Sequence, residues 1–346
     1  MNYGKRAEIA KKRKRRVQAA VGAAVAVAVA GLVVFSCFVP PETWKYRVSK
    51  PKTTKRREGE CRLHFLDVGQ GDSILIELPD GKTMLVDGGD ADPAHTTYIL
   101  RYIYSLGIKT LDYLVATHSD ADHTGGLDKV TEIVGASTVY LPYVTYTAGK
   151  EYDEFIAAVE EKGCETEISE RGISLSSDTG EYPYTLWFLS PHGADNPAGE
   201  YAKANDKNGD TAEAINDTSA VIWLDYSGSS ALLCGDITSE EEKSLLNEAE
   251  EGLLRFGEKN FSFGGTEILK VAHHGSKSSS SAEFLAALGV RDAVICVGEE
   301  NAYGHPAKET CERLVAAGAE IWRTDEDGTI VVTMKTDGKY EIRASK

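Results

Sequence analysis

His118, Asp120, Asp122 and His123 fall within six residues, in the run Thr117-His-Ser-Asp-Ala-Asp-His-Thr124. Imidazole nitrogens and carboxylate oxygens packed this tightly are the donors that divalent cations take. The competing reading is an acidic cap for the helix that follows, a role Asp122 alone would fill. Four donors in alternation exceed what a cap uses. More candidates stand further along the chain: Asp87 in Val-Asp-Gly-Gly, Asp236 in Cys-Gly-Asp, and the pair His273 and His274 followed by Gly275, Ser276 and Lys277. His305 lies in Gly-His-Pro.

These residues share a position relative to the apolar runs. Leu114-Val-Ala precedes the first cluster, Leu232-Leu precedes Asp236, and Leu269-Lys-Val-Ala precedes the histidine pair. Each run reads as a buried strand, so each cluster sits on the loop that leaves a strand end. Five of the eight histidines are placed this way. Such loops line clefts, where side chains can meet a substrate.

The remaining pattern supplies the frame. Strands are expected over 62–68, 73–78 and 83–87, the last two joined by the turn Pro79-Asp-Gly-Lys82. A helix over 95–106 is stopped by Gly107, and strand 112–117 delivers the first cluster. Helix 126–135, strand 137–142, helix 151–162 and strand 185–189 follow. The polar stretch 191–217 reads as a binding loop or a surface insertion. Strands 219–226 and 229–236, helix 239–249, strand 266–272, helix 281–289, strand 292–298, helix 308–318 and strands 328–334 and 338–343 complete the chain. Hairpins interleaved with helices predict two sheets packed face to face with helices outside.

The order of pieces resembles the metallo-β-lactamase-fold hydrolases, and within them the extracellular nuclease-like domain of ComEC competence proteins. The pieces are Phe65-Leu-Asp-Val-Gly-Gln-Gly-Asp-Ser73, Leu85-Val-Asp-Gly-Gly89, His118-Ser-Asp-Ala-Asp-His-Thr-Gly-Gly126, Cys234-Gly-Asp236, Lys270-Val-Ala-His-His-Gly-Ser276 and Gly304-His-Pro306. The resemblance implies a four-layer αββα sandwich with the cleft along one edge. It also implies two divalent cations, Mn or Zn, which about 3.5–4 Å apart clamp the attacking and leaving oxygens of a displacement. Asp236 is then the candidate bridge. Asp122, His123 and His274 complete one position, with His274 preferred over His273 because a His-Gly step recurs there in the superfamily. His118 and Asp120 hold the other position, to which Asn216 or Asp217 can add an oxygen. Most of the superfamily carries histidine where Asp120 stands, and a further ligand histidine before the bridging aspartate, where this chain has none. An oxygen-rich position favours Mn²⁺ over Zn²⁺.

Asp87 is expected to orient a ligand histidine. His305 is expected to protonate a leaving oxygen or to bind phosphate, and His273, Ser276 and Lys277 to contact substrate. Asp122 and His305 are therefore the expected catalytic residues. Gln70 and Asp72 are expected to shape the cleft floor, while His64, His95 and His192 read as structural or surface residues.

Charge is split along the chain. Residues 1–60 hold 15 Lys/Arg against 4 Asp/Glu. The whole chain is −16, so residues 61–346 hold the other 23 Lys/Arg against 50 Asp/Glu, a net of −27. A surface this acidic repels long polyanions, which counts against duplex DNA and leaves a short or single strand entering a local groove. Residues 1–16 form a basic tail, 17–39 an uncharged apolar segment long enough to span a bilayer, 40–60 a basic linker, and 61–346 the hydrolase domain. The basic flank predicts a cytoplasmic N-terminus and an extracytoplasmic domain on an uncleaved anchor; a cleaved signal peptide is the alternative. One span does not build a multi-helix channel. The linker cluster Lys55-Arg-Arg57 is either a solvated tether or a contact for anionic headgroups or wall polymers. The six cysteines show no CxxC metal pattern, and their spacing assigns no disulfide.

The expectation is thus a membrane-anchored, metal-dependent phosphodiesterase or nuclease, with single-stranded DNA a candidate substrate and no protein partner indicated. The alternatives are a phosphoester hydrolase acting on an envelope component such as phosphorylcholine on teichoic acid, or a non-catalytic binding module with a degenerate site.

Overall fold

The structure is a computed structural model; it describes residues 3–142, 149–177, 180–191, 210–256 and 259–346. His192 and most of the polar stretch after it lie outside the described residues. The chain divides into two compact units, Met1–Lys50 and Pro51–Lys346. The first is dominated by the helix Tyr3–Phe38. Within it the segment Lys11–Ser36, whose most apolar 18-residue window has mean hydropathy 2.4, is long and apolar enough to cross a membrane.

Among the described residues the second unit is built on two large sheets, with a small two-stranded one, Arg255–Phe256 and Lys259–Asn260, beside them. One has eight strands in the spatial order Tyr340–Ala344, Ile330–Met334, Cys61–Phe65, Ile74–Glu77, Thr83–Val86, Leu111–Val115, Ala136–Leu141 and Glu165–Ile168. The other has seven, in the order Glu320–Arg323, Asp292–Ile295, Ile268–Lys270, Ser229–Leu233, Val221–Tyr226, Tyr184–Ser190 and Ser174–Ser176. Antiparallel hairpins begin each half, and parallel strands joined by helices continue it. Parallel strands need crossovers, and the helices that supply them cover the outer faces.

Period-two alternation explains the layers. Leu63, Phe65, Ile76 and Val86 of the first sheet face Leu186, Phe188, Ile222, Leu224 and Leu233 of the second in one buried apolar layer. Leu232, Leu269 and Ile295 point the other way, against Leu245, Phe284, Leu288 and Leu314 on the outer helices. The result is the αββα sandwich.

The structure adds elements the sequence pattern does not announce. The strand Glu320–Arg323 sits at a sheet edge and is half-buried, so it carries no apolar alternation. Glu165–Ile168 is exposed along its length. Asp210–Asn216 is a short helix inside the stretch expected as loop. The expected helix 126–135 is Leu127–Ile133, and a further short helix, Ala121–Thr124, forms ahead of it within the His118–His123 loop.

Candidate metal centre

The parallel strands of both halves release their loops toward one place. Thr83–Val86 ends at Asp87, Leu111–Val115 leads to His118, Ser229–Leu233 to Asp236, and Ile268–Lys270 to His273 and His274. Asp87, His273 and His274 have φ of 60°, 51° and 51°. Left-handed backbone at non-glycine residues stores strain that the surroundings must hold, a feature that gathers at functional sites. Gly71 answers a different need. Its φ is 128°, and a Cβ there would meet the Asp122 carbonyl oxygen at 2.1 Å. Only glycine lets the Asp72 amide donate to that carbonyl, at 3.2 Å, and seat the Asp122 loop.

Three histidines are set in one tautomer by the same logic. His123 Nδ1 donates to Asp87 Oδ2 at 2.7 Å. Asp87 is fully buried and also accepts from the Thr117 amide and hydroxyl, each at 2.8 Å. With its proton given to Asp87, Thr117 Oγ1 accepts from His118 Nδ1 at 3.0 Å. His274 Nδ1 donates to the Cys296 carbonyl at 2.8 Å. Each ring therefore carries its proton on Nδ1 and turns Nε2 inward. The Nε2 atoms of His123 and His274 are 3.3 Å apart.

Carboxylates complete the cluster. Asp236 lies 3.2 Å from His123 Nε2 and 3.4 Å from His274 Nε2. Asp122 is 3.3 Å from His274 Nε2. His118, His123 and Asp236 each offer a ligand atom within 4.8 Å of the others, as do Asp122, His123 and His274. A third group, Asp72, Asp87 and His123, is spent on Lys270 and Thr117. Asp120 opens the short helix Ala121–Thr124, but its side chain makes no cap hydrogen bond. Its Oδ2 is 3.8 Å from His118 Nε2.

The electrostatics suit a cation. Burial works against the His274 charge, yet Asp236 and Asp122 raise its pKa to about 10. His123 is likewise raised against burial, by Asp236 and Asp87. Burial and the neighbouring His123 hold His118 down at about 3, so its Nε2 is a bare lone pair. Burial, with the charges of Asp122 and Asp236, lifts Asp120 to about 6. Asp122 and Asp236 are held well below the usual carboxylate range against burial, Asp122 chiefly by His274 and Asp236 by His274 and His123. Among the described residues, His118 Nε2 and Asp236 Oδ1 are buried without a hydrogen-bond partner. The lone pair of His118 Nε2 and a carboxylate oxygen whose nearest neighbours are His123 Nε2 at 3.2 Å and Lys270 Nζ at 3.7 Å gain a partner when a cation sits between them. The donor set therefore fits divalent metal.

Other sequence candidates fall at different distances. His273 is partly exposed, 3.9 Å from Asp236 Oδ2, with its ring 5.7 Å from that of His305. His305 is held by Asn301, which accepts from its amide and donates to its carbonyl. Burial, with His273 and His274, lowers its pKa. The Ser276 hydroxyl pairs with Ser278 at 3.0 Å, and Lys277 is exposed. Asp217 spends its carboxylate on the Thr238 amide and hydroxyl; Asn216 is buried with Oδ1 unpartnered among the described residues. Gln70 Oε1 accepts from the Gly298 amide. His64 is buried between Tyr102 and Glu77, and His95 pairs with Asp90.

Sequence reasoning missed Lys270. It is fully buried, ion-paired with Asp72, and donates to the Gly235 carbonyl at 3.0 Å. Its Nζ lies 3.7 Å from Asp236 Oδ1, and against burial Asp72 and Asp236 hold its pKa far above the ordinary value. The signal was available: a lysine inside an apolar strand two residues before the His-His loop needs a buried carboxylate. Thr117 and Ser219, whose Oγ is 3.3 Å from His118 Nδ1, were also missed.

This chain is similar to ComE operon protein 3 of Bacillus subtilis (strain 168), 27% identical over 288 residues, which cover 79% of this chain and 33% of that protein. It is similar to Competence protein ComA of Neisseria gonorrhoeae, 28% identical over 273 residues, 79% of this chain and 32% of that one. The chain thus spans about a third of the length of these relatives. Among solved structures, Igni18, a metallo hydrolase from Ignicoccus hospitalis KIN4/I, aligns with TM-score 0.44 at 14% identity, over 79% of this chain and 98% of that one. The sequence model of the metallo-beta-lactamase superfamily matches residues 66–299, more than half of the chain, and the chain belongs to that superfamily.

Proposed function

We propose that residues 61–346 hydrolyse phosphodiester bonds with the help of two divalent cations, and that the N-terminal helix anchors this domain on the outer side of a membrane. One observation carries the reading: three buried imidazoles, each with Nδ1 committed to a fixed acceptor, converge through Nε2 on the carboxylates of Asp122 and Asp236. In this reading Asp122, His123, His274 and Asp236 hold one cation, and His118, Asp120 and the shared Asp236 the other. Bound there, divalent cations supply Lewis acidity toward phosphoryl oxygens and a nucleophilic water near neutral pH.

The protein's own groups do the rest. Asp87 fixes the His123 tautomer, and Lys270 holds Asp236 from below. Burial and its histidine neighbours disfavour the charged form of His305. That suits a hydrogen bond to the substrate phosphate better than proton donation to a leaving oxygen. His273, 3.9 Å from Asp236 Oδ2, is assigned to substrate contact, and the family resemblance extends that role to Ser276 and Lys277.

Similarity to competence proteins supports a nucleic-acid strand as substrate. The net charge of −27 on residues 61–346 favours a short or single strand over duplex. The same charge supports a second reading, a small or zwitterionic phosphoester of the cell envelope. A panel of single-stranded DNA, duplex DNA, bis-p-nitrophenyl phosphate, p-nitrophenyl phosphorylcholine and nitrocefin, each with Mn²⁺ and with Zn²⁺, separates these. Turnover of the diesters supports the proposal; turnover of nitrocefin alone overturns it.

A further inference from the structure

A second polar cavity lies on the outer face of the eight-stranded sheet, roofed by the start of the second unit. It encloses about 630 Å³, within the range of small-molecule sites. Its floor follows from strand register. Arg62 and His64 alternate with the core residues Leu63 and Phe65, so they point outward. Arg62 pairs with Thr333, and His64 with Val331. Thr333 and Val331 pair in turn with Glu341 and Arg343. Tyr98 and Tyr102, one helical turn apart on Pro93–Leu106, form a wall, and Lys52, Lys55 and Arg57 of the linker form the rim.

An outward sheet face beneath a helix is ordinarily apolar. Here it is cationic, on a domain of net −27. Five of the lining side chains are Lys or Arg and two are Glu. Glu341 is taken by Lys335 at 3.0 Å and Arg343 at 3.2 Å, and Glu60 accepts from the Arg57 amide. Among the described residues the ammonium groups of Lys52 and Lys55 have no ion-pair partner, and Arg57 acts on Glu341 only through its field. Arg62 is 3% exposed; it pairs with Glu77 and donates to Thr54, while among the described residues its Nε is buried without a hydrogen-bond partner. Thr53, Thr329 and Ser345 add hydroxyls to the lining.

We propose that this cavity binds the anionic phosphate of a phosphate ester, at a site separate from the metal centre. Guanidinium, ammonium and hydroxyl donors around one polar space are the chemistry that recognises phosphate. The cavity shares no residue with the cluster around His123, so the proposal stands apart from the phosphodiesterase reading. A phosphate seated here would give the linker cluster a ligand and hold a phosphorylated polymer, headgroup or small ester against the domain while the metal centre acts elsewhere.

The test uses the full chain in neutral detergent, treated with EDTA so that metal contributes no phosphate affinity. Calorimetric titration is run at low salt with glycerol 3-phosphate, a monoester, and with glycerophosphoglycerol, a diester. The expected result is saturable binding of one equivalent. The exposed triple variant Lys52→Gln/Lys55→Gln/Arg57→Gln should weaken it at least about tenfold. The control Lys129→Gln/Lys150→Gln, which removes exposed cations elsewhere, should leave it unchanged. Tighter binding of the diester supports the site and assigns a polymer or lipid headgroup; tighter binding of the monoester supports it and assigns a free phosphorylated compound. No saturable binding up to about 10 mM of either ester, where even a millimolar site would fill, overturns the proposal. So does binding that the triple variant leaves intact, or that the control weakens as much.

Discussion

Asp87→Asn isolates the part of the metal centre that the protein alone supplies. Asp87 touches none of the inward-facing Nε2 atoms; it acts through His123 Nδ1 at 2.7 Å and Thr117 at 2.8 Å. Asparagine keeps the shape and tolerates the left-handed backbone at φ 60°. Its carbonyl oxygen must still accept from the Thr117 amide, so its NH₂ replaces the oxygen that faced His123. His123 Nδ1 must then accept, and its proton moves to Nε2, which loses its lone pair. The loss of a charge-assisted hydrogen bond in a fully buried site should lower stability by about 2 kcal/mol. Metal affinity should fall about 10- to 100-fold. Both are measurable on one preparation, by thermal unfolding with and without metal and by competition against a fluorescent chelator. A folded Asn variant that binds metal within about threefold of the parent, where the tautomer argument demands at least tenfold, would refute the reasoning about Asp87.

Asp122→Ala should remove activity by at least about 10³-fold with little loss of fold, because a ligand leaves a cleft loop rather than the core; more than a tenth of the activity remaining in a folded, metal-assayed variant would reject Asp122 as a ligand. Glu241 is a pH test away from the site: burial pushes its carboxyl up to about 8 despite the Ser190 hydroxyl that donates to it at 2.7 Å. A carboxyl raised in the folded state stabilises while protonated, so this contribution is full below about pH 4.5 and is lost as pH rises through about 8. Glu241→Gln should therefore raise the melting temperature at pH 9 and leave it nearly unchanged at pH 4, and equal shifts at both pH values would contradict that burial. Protease added to intact cells should remove residues 61–346 and spare the basic tail; protection until lysis would mean the opposite topology.

The sequence made the strand-end clusters legible because each catalytic-type residue follows an apolar run, and chemistry of that kind does not hide in periodicity. The two-sheet architecture was legible for the same reason. What escaped depends on contacts between distant segments. Lys270 and Asp72 form one buried pair, yet Lys270 ends a strand of one sheet, Asp72 lies on the loop before Ile74–Glu77 of the other, and nearly two hundred residues of chain lie between them. Glu320–Arg323 is a strand only because Asp292–Ile295 supplies a partner edge; its own residues are half-exposed and mixed in character. Asp217 looked like an available oxygen beside Asn216, but a buried threonine amide two strands away claims it. His64 read as a structural or surface residue, and only the cross-strand register sets Arg62 beside Thr333 and brings Arg343 one strand beyond His64.

The proposed centre is a pair of cations held by an oxygen-rich first position and a nitrogen-richer second one, acting on a phosphodiester. The direct test is turnover of bis-p-nitrophenyl phosphate by chelator-treated full chain as Mn²⁺ or Zn²⁺ is titrated back, for the parent and for Asp120→His. Activity should appear only as the second equivalent of metal binds, and Mn²⁺ should support it better than Zn²⁺. Asp120→His should shift the preference toward Zn²⁺ by adding a nitrogen beside His118. A parent enzyme fully active with Zn²⁺ alone and indifferent to Asp120→His, or a metal-loaded chain that leaves the diester untouched, would contradict it.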